Sequence, residues 1–382
     1  MFLLLGCKKK GNLADAGAEA GGGGGPDIEA FLKNDAAPLT PEIEEHLLLA
    51  LKDCTVTDDG IDYKCEAFKN WNKSRSHKSL VGAVLSAGTN SLGGKHIGDE
   101  SPAIRLKSAE LLGSFFGSSK DTQKTVLDTA AKEKVPGVLA AMIRTVGSSH
   151  KQNAEVKDLL MKNSDHASEK VRIESMSWFL TSFGTGVPDT FEKVSEKIDK
   201  DPSVKVRAFL CSRLYGSGDE RAIPIFTKYL SDKGTPDELF SSCFSGTIDS
   251  WTGFPKPAKP NKKAYELTLK VLEDKPRSDK RPPWTGISTL RAATDEQKPN
   301  DSFHNAWLVN VKSFYKKERL IAALEALAGD SAAGWLARGG AVDVMKELKA
   351  PKATFERLLK KMGTGSTDGL VKKKIEDALK AM

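Results

Sequence analysis

The chain of 382 residues is 39% hydrophobic and 29% charged, with a formal net charge of +7. A chain this long buries a large core, and one compact domain of that size would be unusual. No run approaches the roughly 18 apolar residues of a membrane span, and so small a surplus permits acidic partners such as anionic lipid head groups, cell-wall polymers or nucleic acid without demanding them.

The chain opens with Met1-Phe2-Leu3-Leu4-Leu5-Gly6-Cys7, an apolar stretch closed by a small residue and a cysteine. Lys8-Lys9-Lys10 follow, and glycine-rich residues 11–25 read as a flexible tether. Leu4-Leu5-Gly6-Cys7 resembles the lipobox of bacterial lipoproteins. There a small side chain fits the peptidase before the cut, and the thiol takes a diacylglyceryl group. The resemblance implies lipidation at Cys7, residence outside the cytoplasm and a tether over residues 8–26. A complete secretory signal has a basic start and an apolar core of about 7–15 residues; residues 1–7 are therefore read as a truncated signal. Lys8 occupies the place where an aspartate favours inner-membrane retention, so the resemblance points to the outer membrane facing the periplasm.

With Cys7 set aside, Cys54, Cys65, Cys211 and Cys243 remain, an even number as an exported protein requires. Cys54 and Cys65 bracket a polar segment with an Asp59-Gly60 turn signal. Helical stretches at 41–53 and 65–73 flank it, inside an N-terminal cap over residues 27–94. Cys211 and Cys243 lie 32 residues apart, close to the repeat length of the chain, which predicts similar levels on neighbouring stacked helices. A bridge in each pair is worth roughly 3–4 kcal/mol and needs an oxidising compartment. The alternative is four reduced, buried thiols, since neither spacing suits zinc.

From residue 95 the pattern repeats every 33–35 residues. Ile104-Arg105 is followed by Ala109 and Leu112, Val171-Arg172 by Met176 and Phe179, and Val206-Arg207 by Cys211 and Leu214. Apolar or small residues four and seven positions after the arginine share one helix face. Leu139, Met142, Ile143 and Val146 fill the unit between the first two, with Pro136 in its first turn. Each helix is expected to stop near a glycine: Gly117, Gly147, Gly184 and Gly216. A second amphipathic stretch follows each time, at 126–131, 156–161, 191–198 and 223–230, with a fifth at 265–272. Strand signals are nearly absent outside the Cys54–Cys65 loop. The expected fold is all-α: helical hairpins that bury their apolar faces by stacking into an α-solenoid with helical caps.

The best-formed unit, Asp201-Pro202-Ser203-Val204-Lys205-Val206-Arg207-Ala208-Phe209-Leu210, resembles the opening of HEAT repeats. The resemblance covers residues 95–275 and becomes degenerate over 276–382. It implies that Asp201 and Arg207 are the polar pair tying adjacent turns. Together with the Leu-Leu-Gly-Cys start it suggests a HEAT-repeat lipoprotein of a Gram-negative cell. Such a family names an architecture and no reaction. Beyond the Lys- and Pro-rich connector at 254–263, helices are expected at 303–328, 331–348, 351–363 and 368–381.

No catalytic, metal or cofactor site is expected. His46, His77, His96, His150, His166 and His304 are dispersed, and no nucleophile-elbow, phosphate-loop or dinucleotide motif occurs. Asp58, Asp59 and Asp62 lack the closing glutamate of a calcium loop. Gly88 to Gly98 reads as an inter-repeat loop. Trp251-Thr252-Gly253 and Trp284-Thr285-Gly286, 33 apart beside Pro- and Lys-rich segments, are candidate partner anchors. The alternative is that both indoles plug helix ends. Trp71, Trp178, Trp307 and Trp335 are expected in the core. The expected role is a membrane-anchored envelope scaffold, not an enzyme, docking a protein or polymer partner. A cytosolic nucleic-acid-binding or DNA-repair helical-repeat protein is the alternative; a tetrapyrrole-attaching lyase is a third, which no residue marks.

Overall fold

The computed structural model describes residues 26–75, 87–114, 120–149, 153–184, 189–214, 220–252, 261–275, 277–294 and 311–382. Cys7, most of the tether, Gly117, Gly216, His77, His150, His304, Trp307 and most of the 254–263 connector lie outside these residues.

The described chain is all-α. It begins with α1 (Ile28–Lys33), α2 (Pro41–Leu49) with a 3-10 turn over Ala50–Asp53, the hairpin β1 (Val56–Thr57) and β2 (Gly60–Ile61), and α3 (Glu66–Arg75). Next come α4 (Ala87–His96), α5 (Pro102–Ser114), α6 (Lys120–Ala130), α7 (Pro136–Ser149), α8 (Ala154–Asn163), α9 (Glu169–Phe183) and α10 (Thr190–Lys200). Then follow α11 (Val204–Arg213), α12 (Ala222–Ser231), α13 (Asp237–Thr252), α14 (Lys262–Glu273) and α15 (Trp284–Thr294). The last are α16 (Lys317–Ala328), α17 (Trp335–Glu347), α18 (Lys352–Lys361) and α19 (Ser366–Lys380).

Polar side chains set the starts of several helices by satisfying free amide donors of the first turn. Thr40 accepts from the Ile43 amide, with Pro41 in the first turn of α2. Asn153 opens α8, Ser203 opens α11 and Asn261 opens α14 in the same way. Gly184, at φ +66°, ends α9 in the left-handed region that glycine alone enters freely. α7 ends at Ser149, two residues past Gly147. A Cβ on Gly147 would fall 2.3 Å from Cγ of Trp178, so this glycine near the helix end is also a packing hollow for α9.

Successive odd-numbered helices from α5 to α19 pack on one another, and each even-numbered helix from α6 to α18 packs on an odd-numbered neighbour. That arrangement explains their differing patterns. An even-numbered helix such as α10 buries one stripe, Phe191, Val194 and Ile198. α13 is flanked by α11, α12, α14 and α15 and buries Leu239, Phe240, Cys243, Phe244, Ile248 and Trp251, residues that wrap around much of the helix. One continuous apolar core results, from Phe31 to Ala378. The segment expected as a loop at Gly88 to Gly98 is mostly α4, which packs on α5 and carries buried Leu92. Among the described residues no helix is long and apolar enough to cross a membrane.

Candidate functional site

The most regular polar feature is an arginine clamp, repeated between neighbouring helix pairs. Arg105 on α5 donates to the carbonyls six and five residues earlier, Asp99 and Glu100, both at 2.8 Å. Its other edge grips Glu133, after α6, at 2.7 and 3.0 Å. Arg172 on α9 does the same. It donates to His166 and Ala167 at 2.9 Å, and grips Asp201 at 2.9 and 3.0 Å. Such forked, charge-assisted bonds fix orientation as well as proximity. Burial pushes the Glu133 carboxyl up, but Arg105 and the Val135 and Lys134 amides pull it below its ordinary value. The implied Asp201–Arg207 pair is corrected here. Asp201 belongs to Arg172 of the preceding unit, while Arg207 donates to the Ile198 carbonyl at 2.7 Å and lies over the Tyr229 ring.

Both cysteine pairs come together. Cys54 is joined to Cys65 with Cα atoms 5.7 Å apart, and Cys211 to Cys243 at 5.0 Å. The second pair is fully buried and links α11 to α13. The first closes the β1–β2 hairpin, which reaches well beyond a terminal cap. β1 packs on α7, where a Cβ on Gly137 would meet the Thr57 carbonyl oxygen at 2.2 Å. Asp58 accepts from the Ser168 hydroxyl at 2.9 Å, at the start of α9. Asp62 caps the Lys64 amide, also at 2.9 Å.

The two candidate tryptophans part company. Trp251 lies within α13, fully buried; its indole donates to Thr268 at 3.0 Å and packs against Tyr265 and Tyr315. It is a core residue, and the expectation that it anchors a partner is corrected. Trp284, by contrast, opens α15 and is 47% exposed. Its Cδ1 lies 3.6 Å from where a Cβ on Gly340 of α17 would stand. One turn before Gly340 is Leu336, also 47% exposed, and next to it Trp335 is 40% exposed instead of buried as expected. Trp284 and Leu336 thus share one edge of the α15–α17 pair. The sequence signal for Trp335 was its place at a helix start, where the next turn does not yet cover a side chain. Trp71 is buried and Trp178 half-buried.

Two further polar features stand out. Asp249 on α13 has its carboxyl raised to about 7 by burial, against a weaker opposing pull from Arg213. A 150 Å³ cavity between the ends of α12 and α14 is lined by Lys233, Lys275, Arg277 and Arg281 among others. Arg277 is held by Asp330 at 2.6 Å and by the Leu272 carbonyl. His46, His96 and His166 do not converge; among the described residues no three metal-binding side chains group together.

No protein-family model matches this chain, and a comparison with curated proteins returns no match.

Proposed function

We propose that this chain is a lipid-anchored scaffold of the cell envelope. In this reading Cys7 carries the lipid, residues 8–26 are the tether, and HEAT-like hairpins stack into an α-solenoid that docks a protein or polymer partner. The location that fits best is the outer membrane, facing the periplasm.

The observation that carries the reading is the recurrence of the Arg105 and Arg172 clamps. Two arginines 67 residues apart hold the same backbone positions and grip an acid 28 or 29 residues ahead. A recurring bond between one unit and the next is what nearest-neighbour stacking of hairpins requires. Two cystine-spaced pairs support export, because such bridges persist in oxidising compartments. The exposed edge of Trp284 and Leu336 supplies the apolar and aromatic contact on which docking energy concentrates. No reaction is assigned.

Mass spectrometry of the chain from its natural host tests the reading. The expected product begins at a diacylglyceryl Cys7 and carries four oxidised cysteines. A cytosolic chain with Met1 intact and thiols reduced would overturn it and return the protein to the nucleic-acid-binding alternative.

A further inference from the structure

The charge is unevenly placed. Residues 349–382 hold nine basic and four acidic residues, a net +5 of the chain's +7. Residues 27–75 hold six basic and eleven acidic, a net −5. The basic end is α18 and α19, which pack on each other and on α16 and α17 and leave their outer side open. Arg357 is engaged by Glu325, Lys374 by Asp343 and Asp368 by Arg338. Lys349, Lys352, Lys360, Lys361, Lys372 and Lys373 are exposed and make no ion pair with any described residue. Leu370 and Met382 are exposed among them, at 49% and 55%.

We propose that this C-terminal end is a docking surface for anionic lipid. A solvated cap would be served by mixed charges, whereas the unpaired groups here are mainly of one sign. Lysines around exposed aliphatic side chains suit a lipid surface, where ammonium groups meet head groups and apolar side chains enter the boundary. A nucleic acid is served less well. Phe355, the sole aromatic of this stretch, is fully buried, so no ring is free to stack on a base. The sole arginine, Arg357, is already forked onto Glu325. The acidic N-terminal end is repelled by the same surface, which orients the molecule with its C-terminal end toward the lipid.

The inference stands apart from lipidation, and its test removes the acyl site. The full chain carrying Cys7→Ser is sedimented with vesicles of phosphatidylcholine alone or mixed equally with phosphatidylglycerol. Binding is expected only to the mixed vesicles, weakening with salt. Replacing Lys360, Lys361, Lys372 and Lys373 together by Gln should weaken it on the order of a hundred- to a thousandfold. The same change at Lys132, Lys134, Lys162 and Lys233 lowers the net charge equally and should leave most of the binding. Four results would overturn the proposal: no preference for anionic vesicles, equal loss in both variants, tighter binding to duplex DNA through the same lysines, or sedimentation without vesicles through self-association.

Discussion

Arg105 shows at residue scale how one side chain joins two units. Its guanidinium holds two carbonyls before its own helix and a carboxylate after the next. Because the Glu133 carboxyl sits below its ordinary value of 4.5 in the fold, its contribution is present above that pH and is lost as pH falls through the folded value. We expect Arg105→Gln to cost about 3–5 kcal/mol at neutral pH, as breaking a buried pair does. Urea midpoints should then fall less for the variant than for the native chain as pH drops below about 4.5; parallel profiles would place the stabilisation elsewhere. Asp249 has the opposite sign. Its carboxyl is raised, so the neutral form favours folding, and this benefit disappears as pH climbs through about 7. Asp249→Asn should therefore match the native chain near pH 3, draw ahead of it as pH rises from about 4 to about 7, and exceed it by at most about 4 kcal/mol near pH 8. A stability difference that does not change with pH would show that the carboxyl is already charged in the fold.

Among the helices, α11 and α13 are the pair joined both by packing and by sulfur, through Cys211 and Cys243. Cys211→Ser should lower the thermal midpoint in air by the equivalent of roughly 3–4 kcal/mol and change little under strong reductant. Equal loss in both conditions would mean that buried packing is what Cys211 contributes. The helices themselves were largely legible in the sequence, because a 3.6-residue apolar period is a local property; α10, α12 and α14 fall where their stripes lie. What misled was context. Glycine reads locally as a helix end, which does not show that Gly147 is also where Trp178 of α9 needs room. Asp201 and Arg207 are near in sequence, but stacking turns Asp201 toward Arg172 of the unit before. Trp251 and Trp284 sit in identical Trp-Thr-Gly triplets, yet one lies at the C-terminal end of a helix among Tyr265 and Tyr315, and the other at an open helix start. Whether a tryptophan serves core or surface is decided by which helices pack around it, and periodicity does not carry that.

At the scale of the whole molecule, polar groups bridge the contact between α9 and the start of α11. Arg172 clamps Asp201 across it, Glu169 takes the Ser203 hydroxyl, and Lys205 lies 3.5 Å from Glu169. One cystine lies wholly before this seam and the other wholly after it, so neither covalent bridge holds the two parts together. In a chain stabilised by neighbour-to-neighbour contacts, cooperativity breaks where a coupling is weakest. Buried Arg172 is the group whose loss most weakens this one, since it leaves Asp201 uncompensated in a site it barely shares with water. Arg172→Ala should therefore do more than lower stability. Urea unfolding followed by hydrogen exchange should separate into two transitions, one for residues before about 200 and one for those after, whereas the native chain should show a single shared transition. If the variant still unfolds in a single step that all peptides report together, the seam is not where the molecule divides, and the apolar contacts beside Arg172 carry the coupling instead.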